Sequence, residues 1–325
     1  MTPRVAEFLQ HSGAVADIGP ATRLSAIKMR NSTWQGGSLV SLLFLEDQPV
    51  PRYVLRVPRA PARDERVASN FAALQALSEI EPLRGTVPVP VFSGYVEGVL
   101  ISLETFLDGA SLAVEIGQAE RQGDSKCVAN LLKRACDWLW RLHQETWTEP
   151  LPDFSAQCLA DIALIQERKL LSETEIESLL RHIAPVRECP GIFARAHGDF
   201  NPNNLLLPPA DYPLGVVDWE HSTPGCALFD LFQLITIALL FPISGTEERV
   251  ARAESLWAGP DLVGEVYRAA LERYADHARL PSNSLRPLFA VYLSRMAADL
   301  LRLFGDRPEP MRAFWRDLIR HEIHA

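Results

Sequence analysis

The spacing of hydrophobic positions changes period along the chain, and each change predicts an element. Val5, Phe8 and Leu9 recur at helical spacing and give a short leading helix ending near Gly13. Between Leu24 and Pro58 the texture becomes that of strands: the runs Leu39 to Leu45 and Arg52 to Val57 are separated by the turn-rich stretch EDQPVP. A polar loop, NSTWQGG (Asn31 to Gly37), precedes the first run. Val67, Phe71, Leu74 and Leu77 return to helical spacing, and VPVPVFSGYVEGVLISLETFLDG reverts to strand texture until Gly109. Beyond it the chain is mostly helical. Leu131, Leu132, Ala135, Leu139 and Leu142 mark one face of a helix, residues 148–190 read as helical, and more helices follow residue 226. This order predicts a small β-rich N-terminal lobe with one helix, residues 1–102, and a larger helical lobe, residues 103–325.

Composition narrows the class. A chain of 325 residues is long for a single core, so two domains are expected. With 47% apolar and 22% charged residues it is an ordinary globular protein. The net charge of −9 argues against a nucleic-acid partner and suits a cationic or neutral small substrate. Cysteines 127, 136, 158, 189 and 226 form no C-x-x-C pair and read as reduced thiols. The N-terminal residues show no signal-peptide pattern. The most apolar window, Leu228 to Ile243, contains Asp230, Gln233 and Pro242, so it reads as a buried helix and not as a membrane span. A cytoplasmic protein without a membrane partner is the expectation.

The chemistry concentrates in AHGDFNPNNLLLPPADYPLGVVDWEHSTPG, which starts at Ala196. Leu205 to Leu207 and Leu214 to Val217 read as two strands joined by the turn signal PPADYP. With the turn centred on Asp211, Asn204 and Asp218 face each other across the hairpin. Two side-chain oxygens meeting there suit a hard cation such as Mg2+, which takes a few carboxylate or carbonyl ligands and fills its shell with water and phosphate. Asp199, earlier on the loop, is placed to accept a proton from an attacking hydroxyl. Metal ligands beside a base are what phosphoryl transfer requires. Taken one at a time, each of these residues reads equally as a turn or cap residue.

The pattern H-G-D-x-x-x-x-N (His197, Gly198, Asp199, Asn204) followed by V-D-W-E (Val217 to Glu220) resembles the aminoglycoside phosphotransferase and choline kinase family. The resemblance implies a protein-kinase-like two-lobe α+β fold, with a small antiparallel-sheet N-lobe for the nucleotide and a mainly helical C-lobe. It implies ATP as phosphoryl donor, Mg2+ as cofactor and a small-molecule hydroxyl as acceptor (aminoglycoside-, choline- or sugar-like). Asp199 becomes the catalytic base, Asn204 and Asp218 the Mg2+ ligands, His197 an organiser of the loop and Asp230 its brace. Asn203 stands where the family often has Gly, and Asn tolerates the left-handed backbone nearly as well.

In the small lobe the resemblance puts Arg56 on the nucleotide phosphates, Gly36 and Gly37 over them, and the Leu103, Glu104 and Thr105 backbone against adenine. Arg56 also reads as an outward strand residue, and Trp34 as a packing residue of its loop. The helical glutamate that holds the phosphate cation in the family stands here as Asn70, able to hydrogen-bond Arg56 but bearing no charge. Restoring the glutamate with Asn70→Glu is expected to tighten ATP binding or leave it unchanged. A nucleotide-binding protein with little transfer activity is the alternative reading, motivated by Asn70 and by G-C-A-L where the family often has G-D-P. A metal-dependent hydrolase using His197, Asp199, Asp218 and His221 would need more clustered histidines than the chain offers. Glu247, Glu248, Asp261 and Glu265 read as exposed helix charges, or as the lining of a cationic pocket.

Overall fold

The computed structural model describes residues 3–29, 38–46, 48–59, 64–148, 153–186, 192–209, 213–304 and 309–324. The chain divides into two compact units, one of residues 1–111 with 204–223 and one of residues 112–203 with 224–325.

The first unit is an antiparallel sheet with two helices. Helix α1 (Pro3–His11) leads into β1 (Leu24–Lys28), β2 (Ser38–Leu45) and β3 (Tyr53–Pro58). Helix α2 (Asp64–Ser78) separates these from β4 (Pro90–Val96) and β5 (Val99–Thr105), and the sheet order is β1-β2-β3-β5-β4. Alternation along β2 and β3 buries Leu43 and Leu55 with Ile101 and Leu103 of β5, and Leu9 of α1 joins the same core. The sequence stripe on α2 needs one correction. Its buried positions are Val67, Asn70, Ala73, Leu74 and Leu77, whereas Phe71 is only partly buried. A polar Asn therefore occupies a place on the core face of the helix, and such a residue must find partners there.

The short β6 (Ala110–Ser111) ends the continuous part of this unit.

The second unit is helical. It begins with α3 (Leu112–Arg121) and α4 (Ser125–Thr146), whose predicted stripe of Leu131, Leu132, Ala135, Leu139 and Leu142 is buried throughout. The Asp124 side chain caps α4 by accepting from Cys127 N at 2.9 Å. Helices α5 (Phe154–Glu167) and α6 (Glu173–Val186) follow, then β7 (Phe193–Ala196).

Here the chain returns to the first unit through β8 (Leu205–Leu207) and β9 (Gly215–Val216). They join it because β8 pairs with β6, and Val216 N donates to Thr86 O at 2.8 Å.

The second unit resumes with β10 (Thr223–Cys226), paired to β7, and with α7 (Ala227–Ile235), which continues as a π-turn over Thr236–Leu240. The apolar window around Leu228 is thus a buried helix, and among the described residues no helix is long and apolar enough to cross a membrane. Helices α8 (Thr246–Ala258), α9 (Leu262–Ala278), α10 (Leu285–Phe304) and α11 (Glu309–His324) complete the unit. Cys136, Cys158 and Cys226 are buried free thiols, and burial pushes the Cys136 and Cys158 thiols up to about 12, while Cys189 lies outside the described residues.

One buried acid in the helical unit gives this fold a pH signature. Glu322 of α11 is 2% exposed and accepts from Trp257 Nε1 at 3.3 Å. Burial, only partly opposed by Arg286, pushes its carboxyl up to about 7. A raised carboxyl pKa means that the folded state holds its proton longer than the unfolded chain. Stability from this group therefore falls as pH rises from the ordinary glutamate range through neutrality. Glu322→Gln should leave the melting temperature nearly unchanged at pH 5. At pH 8 it should stabilise the protein relative to wild type, by on the order of 2–3 kcal/mol. Paired thermal melts at the two pH values check this, and an equal difference at both would contradict it.

Candidate active site

The loop after β7 is organised from beneath by one carboxylate. Asp230, 1% exposed on α7, accepts His197 N at 2.6 Å on one oxygen and Gly198 N at 3.0 Å on the other. Gly198 has φ +78°, a left-handed turn that glycine adopts without strain. The His197 ring is fully buried, and its Nδ1 accepts Asp199 N at 3.2 Å, so the ring is a structural member of the turn. Phe200 is also fully buried and stacks on Trp138 of α4 with ring centroids 5.8 Å apart.

The half-buried Asp199 side chain, next to His197 in sequence, is held at a defined place. Its Oδ1 accepts from Gln233 Nε2 and from Asn201 Nδ2, each at 2.9 Å. Gln233 played no part in the sequence reading. Its position three residues after Asp230 was the available signal, because that spacing puts both side chains on one face of α7. Asn201 in turn accepts from the backbone and side chain of Asn203, so the Asn-rich segment is a chain of local caps. Asn203 does not use the left-handed conformation that Asn tolerates: it lies in the 3₁₀ turn Pro202–Asn204.

In the first unit Asp218 is left-handed, with φ +70°. The hairpin register explains why. Leu205 pairs with Val216 and Leu206 with Gly215, so Asn204 stands opposite Val217, whose N–H donates to Asn204 O at 3.0 Å. The expected facing of Asn204 and Asp218 is thus off by one residue, since the turn centre falls before Asp211. Asp218 is placed instead by its own strained backbone and by Arg56 Nη1, which donates to its Oδ1 at 2.9 Å.

Arg56 is the buried cation of this unit, 4% exposed on β3. Its Nε donates to Glu104 Oε1 at 3.2 Å. Burial disfavours its charge, but Glu104, Asp218 and Glu220 outweigh that and shift its pKa upward. From the sequence, Asn70 is able to hydrogen-bond Arg56. Asn70 Nδ2 instead donates to Glu104 Oε2 at 2.6 Å, and Asn70 Oδ1 accepts Trp219 N at 2.9 Å. The carboxylate expected on α2 is therefore supplied by β5. Nothing in sequence spacing signalled this role, because β3 and β5 meet only in the folded sheet.

The remaining expected residues fall as follows. Leu103 is in the core, and the Thr105 hydroxyl accepts Val89 N at 2.8 Å, while Thr105 N donates to Val89 O. Gly36, Gly37 and Trp34 lie outside the described residues. Glu220 of the V-D-W-E motif accepts from Arg66 at 3.0 Å; burial opposes its charge, but His221, Arg56 and Arg66 hold it below the usual carboxylate range. Glu247, Glu248 and Glu265 are exposed at helix starts, and Asp261 caps α9, so these acids do not form a lining.

The donor chemistry fits Mg2+. The Asp218 side chain is 37% exposed and the Asn204 amide adds a second hard oxygen. Among the described residues no group of three His, Cys, Asp or Glu could hold a metal by itself. A cation bound at Asp218 and Asn204 would complete its shell with water and phosphate.

Residues 35–265, which include Arg56, Asp199, Asn204, Asp218 and Asp230, match the phosphotransferase enzyme family (APH). The chain belongs to that family. No curated protein matches it by sequence. Among solved structures it is similar to Plasmodium vivax ethanolamine kinase, with 12% identity, coverage of 98% of this chain and 86% of that one, and a TM-score of 0.60. It is also similar to the macrolide 2'-phosphotransferase MphH of Brachybacterium faecium, with 15% identity, coverage of 99% and 98%, and a TM-score of 0.54. A type I macrolide 2'-phosphotransferase gives 15% identity, 98% of both chains and a TM-score of 0.52. At these identities the likeness is one of fold, and the fold is protein-kinase-like. The enzyme is a small-molecule phosphotransferase, as the sequence motif implied.

The double acceptor role of Asp230 carries a direct cost if it is lost. In this phosphotransferase Asp230→Asn keeps the size but leaves one of two loop N–H groups facing an amide donor. Urea unfolding should show a loss of about 1–3 kcal/mol. An unchanged midpoint would mean that the His197 and Gly198 donors do not depend on this carboxylate.

Proposed function

We propose that this phosphotransferase moves the γ-phosphoryl group of ATP to a hydroxyl of a small molecule, with Asp199 as the base. The observation that carries the reading is the Asp199 carboxylate, half-buried and held through Oδ1 by Gln233 and Asn201 on a loop fixed by Asp230. A carboxylate so fixed costs no reorganisation when the reaction needs it. In the transfer, the acceptor oxygen forms its bond to the γ-phosphorus as the bond to the bridging oxygen breaks. ADP leaves with that electron pair, and Asp199 takes the acceptor's proton.

Arg56, charged and aimed by Glu104, supplies a fixed cation for phosphate oxygens. Asn204 and Asp218 would hold Mg2+, whose charge would offset that of the phosphates. The carboxylate partner of Arg56 that seemed missing from α2 is present as Glu104, which removes one ground for an inactive nucleotide binder. The acceptor belongs to the aminoglycoside-, choline- or sugar-like hydroxyl compounds, and the net charge of −9 favours cationic members of that set.

ADP release measured across a panel of such acceptors tests the reading. Asp199→Asn should reduce turnover by about 10²-fold or more while Mg2+–ATP affinity stays within about 3-fold. Asp218→Ala should abolish the dependence of ATP affinity on Mg2+. Tight Mg2+–ATP binding by a wild type that releases no ADP with any acceptor, or with water, would defeat the proposal.

A further inference from the structure

Five contacts in the first unit close into a ring. Arg56 Nε reaches Glu104 Oε1 at 3.2 Å, Asn70 Nδ2 reaches Glu104 Oε2 at 2.6 Å, and Trp219 N reaches Asn70 Oδ1 at 2.9 Å. The Asp218–Trp219 peptide and the 2.9 Å bond from Arg56 Nη1 to Asp218 Oδ1 complete it. Arg56, Asn70, Glu104 and Trp219 are 4%, 1%, 3% and 0% exposed, whereas the Asp218 side chain is 37% exposed. The ring is therefore buried everywhere except at the carboxylate that would meet a ligand.

The residue types follow from the contacts. Asn70 donates to a carboxylate and accepts from a backbone N–H at the same time, and its amide does so through two separate atoms. A glutamate at position 70 could accept but not donate, and it would set a second carboxylate against Glu104. Glu104 uses one oxygen for Arg56 and the other for Asn70. Arg56 thus keeps the Glu104 counter-charge when a cation engages Asp218 or a phosphate engages Arg56. The Trp219 N–H held by Asn70 belongs to the residue next to left-handed Asp218, and the Trp219 indole adds a bond to Val216 O at 3.1 Å.

We propose that Asn70 and Glu104 are paired positioning residues: Glu104 aims Arg56 at the nucleotide phosphates, and Asn70 holds Asp218 in its left-handed turn through the Trp219 N–H. This rests on the proposed function, in which Arg56 and Asp218 serve nucleotide and metal. It reverses the expectation from the sequence for Asn70→Glu, which should weaken ATP binding.

The test exchanges the two groups with isosteric variants. Asn70→Asp sets two carboxylates together, and Glu104→Gln leaves Arg56 without its buried counter-charge. The double variant Asn70→Asp/Glu104→Gln restores one carboxylate and one amide in swapped places. Calorimetric affinities for ATP with and without Mg2+, for adenosine, and melting temperatures are measured on all four proteins. Each single variant should weaken Mg2+–ATP by about 10-fold or more with adenosine within about 3-fold, and the double should recover most of both affinity and melting temperature. For Asn70→Asp, the advantage of Mg2+–ATP over metal-free ATP should shrink, a change that general loosening would not produce. A double variant no better than its worse parent overturns the pairing. Single variants that melt earlier but keep Mg2+–ATP affinity overturn the positioning role and leave a structural one. A wild type whose ATP affinity ignores Mg2+ overturns the functional reading beneath it, and the melting temperatures still decide whether the two residues are coupled.

Discussion

A guanidinium removed from water must be matched by charge and hydrogen bonds, and Arg56 sets that condition for the whole N-terminal unit. An unpaired buried charge would cost several kcal/mol, so its neighbours are constrained more tightly than packing alone requires. Glu104 answers on β5, which fixes the register of β3 against β5 around a polar contact. Asn70 then answers the second oxygen of Glu104, which explains why the core face of α2 carries an amide among Val67, Leu74 and Leu77. The V-D-W-E segment is drawn in from its side by the same cation, through Asp218 and, with Arg66, through Glu220. Buried ion pairs contribute little net stability, and the gain here is a defined position for one cation.

The helical unit solves an analogous problem with an anion. Asp230 is buried beneath a loop whose N–H groups have no sheet or helix to satisfy them, and it takes two of them. Its helix also delivers Gln233 to Asp199, so a single element both closes the turn and holds the Asp199 carboxylate. The buried rings of His197 and Phe200, packed edge-to-face on each other, give that turn its hydrophobic footing. Polar groups on rigid elements thus place the chemistry in both units, and the loops only present it.

Much of this was legible in the sequence, and what was missed shares a cause. The strands, the α4 stripe and the buried α7 followed from local period, and H-G-D-x-x-x-x-N with V-D-W-E pointed to the family from local spacing. Asp230 and His197 have the bracing roles that the motif implied. Roles that depend on tertiary contact could not be read in the same way. Glu104 was assigned to a backbone role because its partner lies 48 positions away. Hydrophobic period selects Phe71 for the α2 stripe and cannot register a polar core residue, although Asn70 holds the buried place. The hairpin was centred one half-step late, since PPADYP offers several turn centres, and a slip of one residue changes which side chains face each other. Residue type leaves the left-handed conformation open to Asn203, whereas the backbone adopts it at Asp218.

The central claim is that a buried, carboxylate-held Arg56 is the phosphate anchor of this enzyme and more than a strut of the sheet. The most direct measurement compares wild type and Arg56→Ala for binding of ATP and of adenosine by calorimetry. Adenosine affinity reports any general damage to the sheet, so the ratio of the two losses isolates the phosphate contribution. The account predicts that ATP affinity falls by about 10-fold or more beyond any loss for adenosine, the scale of a charge-assisted contact. Equal losses for the two ligands would contradict it.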